Sequence, residues 1–83
     1  MPQVASLTFG SWLKSRRRDL DLTQKELAHT VGCAEITIRK IEADSLRPSR
    51  QLTTMLMQAL NVPRDKQNTL MQLARQHNHH AGE

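Results

Sequence analysis

The chain has 83 residues, 37% hydrophobic and 2% aromatic, and its net charge of +4 permits a polyanionic partner without requiring one. That length makes one small domain with a modest aliphatic core, filled out by methionine and with rings only from Phe9 and Trp12. A single cysteine excludes an internal disulfide framework, and no apolar run or signal-peptide core suggests a membrane or secretory destination, so a cytoplasmic protein is expected.

Residues 1–7 show no periodicity and read as a flexible N-terminal arm. Ser6 or Thr8 can cap a first helix running to about Leu20, with Phe9, Leu13 and Leu20 inward and Trp12 flanking them. The link that follows needs a helix stop, and Asp21 tolerates the left-handed geometry such a stop uses. A second helix, about 24–31, opens on a capping box of Thr23 and Glu26, with Leu22 and Leu27 placed as a hydrophobic staple. Leu27, Ala28 and Val31 form its buried stripe, which leaves Lys25 and His29 outside. Gly32 suits the left-handed stop.

The third helix, about 35–42, points Ile38 and Ile41 inward and puts Glu35, Ile36, Arg39 and Lys40 on its other sides. A polar loop from Ala43 to Pro48 leads to Ser49, the N-cap of a fourth helix whose inward stripe is Leu52, Met55, Leu56, Ala59 and Leu60. Asn61-Val62-Pro63 ends that helix, because the residue before proline avoids helical geometry. Pro63 and Asp65 start a fifth helix that buries Leu70, Met71, Leu73 and Ala74 and frays after Gln76. Residues 77–83 read as a disordered tail or linker. With no repeat and no strand-like alternation, the chain is expected to be an all-α five-helix bundle.

From Leu22 to Glu42 the residues meet the pattern T-Q-x-x-L-A-x-x-x-G-x-x-x-x-x-I-x-x-I-E at Thr23, Gln24, Leu27, Ala28, Gly32, Ile38, Ile41 and Glu42. Here the chain resembles the phage-repressor and Cro-like (XRE-type) helix-turn-helix family, and with the flanking helices the resemblance covers roughly residues 8–76. Asp21 and Asp44 stand where that family often has glycine. Ala34 replaces the serine or threonine that often caps the third helix, at a cost on the order of 0.5–2 kcal/mol.

The resemblance implies a lambda-repressor-like fold that binds double-stranded DNA as a repressor-like transcriptional regulator, its third helix lying in the major groove. Carried over by position, Glu35, Ile36 and Lys40 are the base-reading candidates, with Thr37 and Arg39 beside them. Their chemistry suits base edges, since Lys40 can donate to guanine O6 and N7, Ile36 can pack on a thymine methyl, and Glu35 can accept from cytosine N4. Glu35 is the weakest of them, because the phosphates repel a carboxylate. Gln24 at the start of helix two is implied to meet a phosphate through its backbone N–H, while its side chain holds that phosphate or braces the recognition helix. Arg47 and Arg50, on either side of Pro48, are further phosphate-binding candidates. Of the basic run Lys14, Arg16, Arg17 and Arg18, one or two at most touch DNA.

Arg17 falls on the apolar side of helix one and Glu42 at the unfavourable end of helix three's dipole; each is poorly placed alone, and together they form a structural ion pair. Cys33 reads as a buried, inert thiol. His29 reads as exposed, and His77, His79 and His80 as tail rather than a metal site, so no metal or cofactor is expected. No phosphate loop or nucleophile–base pair points to an enzyme. A competing use of the bundle is protein interaction of the antitoxin-like type. The combination of the motif with ALNVPRDKQ and LMQLAR also resembles the N-terminal module of larger bacterial regulators, and the polar tail fits a domain cut at a linker as well as a complete small protein. Little in the chain offers a dimer interface, so the isolated chain is expected to be mainly monomeric, pairing on DNA or through a downstream domain.

Overall fold

A computed structural model describes residues 8–77 and shows five helices: α1 (Phe9–Asp19), α2 (Gln24–Val31), α3 (Glu35–Glu42), α4 (Arg50–Ala59) and α5 (Arg64–His77). None is long and apolar enough to cross a membrane. The first seven residues and residues 78–83, including the expected arm and most of the expected tail, lie outside the described residues. The last helix runs one residue past its expected end, to His77.

The helix starts follow from side-chain chemistry. Thr8 fills the first cap: its hydroxyl accepts from the Ser11 N–H at 3.1 Å while the Ser11 hydroxyl accepts from the Thr8 N–H at 3.0 Å. The box at Thr23 is equally complete, with Glu26 N–H on the Thr23 hydroxyl at 3.0 Å and Thr23 N–H on the Glu26 carboxylate at 2.8 Å. Ser49 caps α4 through the Leu52 N–H at 3.1 Å. Ala34 makes no side-chain cap bond.

The stops of the first four helices share one device. Asp21, Gly32, Asp44 and Asn61 all have positive φ, at 58°, 76°, 62° and 57°. After each, the next N–H reaches back to the carbonyl five residues before it: Leu22 to Arg17, Cys33 to Ala28, Ser45 to Lys40 and Val62 to Met57. This is the Schellman closure, which satisfies the orphaned terminal carbonyls. Asp21 and Gly32 take the geometry expected of them, and Asp44, standing where the family often has glycine, takes the same one. At α4 the stop falls on left-handed Asn61 itself, ahead of the restriction that Pro63 places on Val62.

The core is formed by Phe9, Leu13, Leu27, Ala28, Val31, Ile38 and Ile41 from the first three helices, closed by Leu56, Met57, Leu60 and Ala74. The expected α4 stripe needs correction. Leu52, Met55 and Ala59 are only half-buried, while Met57 and Thr53 are fully buried beside Leu56 and Leu60. The reason is that α4 packs against both α2 and α5, so its buried surface is wider than a single stripe. Thr53 tolerates burial because its hydroxyl donates to the Ser49 carbonyl at 2.8 Å. Helix α5 acts mainly as a cover: of its four expected inward residues Ala74 is buried, while Leu70, Met71 and Leu73 stay half-buried.

The N-terminus of α1 is tied to the end of α3. The Asp44 carboxylate accepts from the Thr8 hydroxyl at 2.7 Å and from the Gly10 N–H at 3.0 Å, so α3's stop residue satisfies donors that α1 cannot pair within itself. The contact requires a glycine in α1, because a Cβ at Gly10 would lie 2.8 Å from the Glu42 carbonyl oxygen and closer still to that of Ile41.

Candidate nucleic-acid interface

Helix α3 owes its orientation to two isoleucines. Ile38 and Ile41 are essentially inaccessible, which turns the opposite side, with Ile36 and Lys40 one turn apart, into solvent. Ile36 is 47% exposed and, with Leu46, is one of two exposed large hydrophobics among the described residues. Arg39 is exposed on one flank and Thr37 half-buried on the other. Glu35 and Arg39 meet at 3.4 Å as a solvent-exposed i,i+4 pair. Such a pair contributes at most about 1 kcal/mol, so Arg39 can be drawn away from it at little cost.

The end of α3 is held by a buried fork. Arg17 Nε donates to Glu42 Oε2 at 2.6 Å and Arg17 Nη2 to Glu42 Oε1 at 3.1 Å, while Nη1 donates to the Leu22 carbonyl at 2.7 Å. Each of the two residues is 8% exposed. The hydrogen bond to Glu42 holds the Arg17 guanidinium above its ordinary pKa, outweighing burial, which acts in the opposite direction. The expected structural ion pair is thus present, and it links α1, the α1–α2 turn and α3 through one guanidinium.

Gln24 joins this network. Its carboxamide donates to Glu42 Oε1 at 3.0 Å and so braces the end of α3. The Gln24 backbone N–H lies in the first turn of α2, beside a shallow groove that Arg18, Thr23 and Glu35 also line.

The basic run on α1 divides by position. Lys14 and Arg18 are exposed, and Arg17 is the buried fork. Arg16 has a role that spacing did not reveal, for its Nε donates to the Leu60 carbonyl at 3.1 Å and covers the end of α4. Arg47 and Arg50 are exposed on either side of buried Pro48 and the Ser49 cap. A third arginine, Arg75 of α5, lines the same concavity. It is exposed and sits one turn after half-buried Met71, which is the only sequence signal for its place beside the bundle.

Cys33 is half-buried rather than buried, because the α2–α3 turn that carries it lies at the surface. Burial still pushes its thiol above the ordinary pKa, which favours the unreactive protonated form. His29 is exposed, and His79 and His80 lie outside the described residues. Among the described residues no group of three or more His, Cys, Asp or Glu side chains is placed to hold a metal.

The architecture is two short helices joined by a tight turn, the second presenting an outward polar and aliphatic face. A family model described as a helix-turn-helix domain matches residues 8–70, from the α1 cap into α5. Searches of the curated proteins and of the solved structures gave no match. The matched span takes in the Thr8 and Thr23 capping boxes, the Gly32 turn and the Arg17–Glu42 fork, and the chain belongs to the helix-turn-helix domain family.

Proposed function

We propose that this protein binds double-stranded DNA in a sequence-specific way, as a repressor-like transcriptional regulator of the bacterial cytoplasm, with α3 in the major groove. The observation that carries the reading is the rigid mounting of α3: two buried isoleucines and the Arg17–Glu42–Gln24 network hold the helix, and Ile36 and Lys40 are left at its outermost line. A base-reading helix needs that pre-organisation, because each base contact is made only if the backbone is already in register.

Within this reading Lys40 donates to a guanine and Ile36 packs on a thymine methyl, with Glu35, Thr37 and Arg39 contributing at the edges. The Gln24 backbone N–H, Arg47 and Arg50 hold phosphates and set orientation. One chain reads one half-site and is mainly monomeric, and tight binding comes from two chains on half-sites about 34–36 Å apart.

Selection of bound sequences from a random duplex pool tests the reading directly, and recovery of no common sequence would reject it. On the selected site Lys40→Ala should cost about 1–3 kcal/mol and relax one base position. Equal weakening on every duplex would make Lys40 a phosphate contact instead. Arg47→Ala and Arg50→Ala should each weaken all duplexes and lower the slope of log K against log salt by about one unit. Unchanged slopes in both variants would remove these residues from the interface.

A second reading, protein interaction of the antitoxin-like type, draws on the exposed aliphatic side chains of Ile36 and Leu46. Salt separates the two: DNA binding falls steeply as salt rises, and an aliphatic protein contact does not.

A further inference from the structure

Arg47, Arg50 and Arg75 come from the α3–α4 loop, the first turn of α4 and the last turn of α5, yet they line one concavity of about 230 Å³. Thr53 and Met71 form part of its wall, and no aspartate or glutamate among the described residues lines it. The two ion pairs found among the described residues, Arg17–Glu42 and Glu35–Arg39, involve none of these three arginines. Three exposed arginines around one hollow concentrate positive charge there, which an anion offering several oxygens on one centre complements. The planar donor fork of arginine matches a phosphate in two-bond geometry, which a lysine point charge does not.

We propose that Arg75 completes, with Arg47 and Arg50, a cradle for one backbone phosphodiester of the bound duplex, so that the DNA footprint extends from the helix-turn-helix onto α5. The proposal rests on the DNA-binding reading above. It commits to a duplex phosphate because the hollow opens beside the loop that leaves α3, which makes it continuous with the recognition helix. Arg75 reads no base; it fixes the angle at which the bundle sits on the backbone and ties α5, otherwise a half-buried cover, to the bound state.

The test measures the full chain on its selected duplex and on a random duplex across a salt series. The variants are Arg75→Ala, Arg75→Lys and, as a control for bulk charge, Arg64→Ala at the exposed start of α5. Thermal melts verify that each variant is folded. Arg75→Ala should weaken both duplexes roughly tenfold and lower the salt slope by about 0.9. Arg75→Lys should keep the slope and recover only part of the affinity, and Arg64→Ala should change little. An Arg75→Ala slope equal to wild type, or an equal fall in Arg64→Ala, overturns the cradle. Amide shifts induced by inorganic phosphate around Arg75, with duplex binding unaffected by Arg75→Ala, would assign the hollow to a free anion and also overturn it. Wild-type protein that binds neither duplex would sink the DNA reading itself, a result distinct from wild-type binding that Arg75→Ala leaves untouched.

Discussion

Arg17→Ala is expected to lower the stability of the fold by about 3–5 kcal/mol, the range for breaking a buried ion pair from one side. The loss has two sources. The Glu42 carboxylate, buried beside Arg17 in the intact fold, would be left with Gln24 as its side-chain donor, and the Leu22 carbonyl would lose its guanidinium partner. Both partners are well below the exposure at which solvent screening would reduce the effect to that of a surface pair. Urea denaturation of Arg17→Ala, Glu42→Ala and the double variant gives the coupling directly. A double variant much less damaged than the sum of the singles is the expected outcome, because removing both charges removes the stranded one. Additive losses would mean that the two residues act separately, and a single loss under about 1 kcal/mol would mean that water reaches the pair. The double variant should also bind DNA less well than its stability alone implies, since the end of α3 would no longer be clamped to α1.

Residues whose roles rest on local spacing were legible from the chain alone. The Thr23–Glu26 box and Gly32 bracket α2 through bonds within a few residues, and Ile38 with Ile41 sets the buried side of α3. Even the Arg17–Glu42 pair could be inferred, because each charge sits where it is unfavourable without the other. What escaped depends on how helices meet. Periodicity projects a helix onto one buried face, so it found Leu56 and Leu60 but not Met57 and Thr53, which are buried because α4 has neighbours on two sides. Arg16 on the Leu60 carbonyl and Asp44 on the first turn of α1 bridge 44 and 36 residues, and nothing near either residue announces the partner. Charge alone could not sort the arginines: one is a buried clamp, one covers a helix end, and three share a hollow. The same limit applies to Gln24, whose bond to Glu42 spans 18 residues and has no local signal.

Gly10→Ala is the second substitution with a large expected effect, and here two terms compete. Alanine is better than glycine inside a helix by about 1 kcal/mol, which alone would stabilise α1. Against that, the new Cβ would press on the backbone carbonyl oxygens of Ile41 and Glu42 and on the Asp44 carboxylate. The carboxylate is itself fixed by its bonds to Thr8 and Gly10. Two of the three obstacles are backbone, so relief requires moving α1 away from α3, and overpacking of that kind typically costs about 1–3 kcal/mol and sometimes more. The immobility of the obstacles puts Gly10→Ala at or beyond the upper end, leaving a net loss of about 2–3 kcal/mol after the helical gain. Gly32→Ala provides the comparison. Its Cβ would meet nothing within 4 Å, but its φ of +76° places alanine in the left-handed region, at about 1–2 kcal/mol. Gly10→Ala should therefore be the more damaging of the two in thermal or urea unfolding, although only Gly32 has a backbone that favours glycine. If Gly10→Ala were neutral or stabilising, α1 and α3 could not approach as closely as the Asp44 bonds require. A destabilised Gly10→Ala that kept its DNA affinity below its melting temperature would show that α3 is held by Arg17 without help from the Asp44 tie. Loss of affinity in the folded variant would show that both ends of the α1–α3 contact set the position of α3.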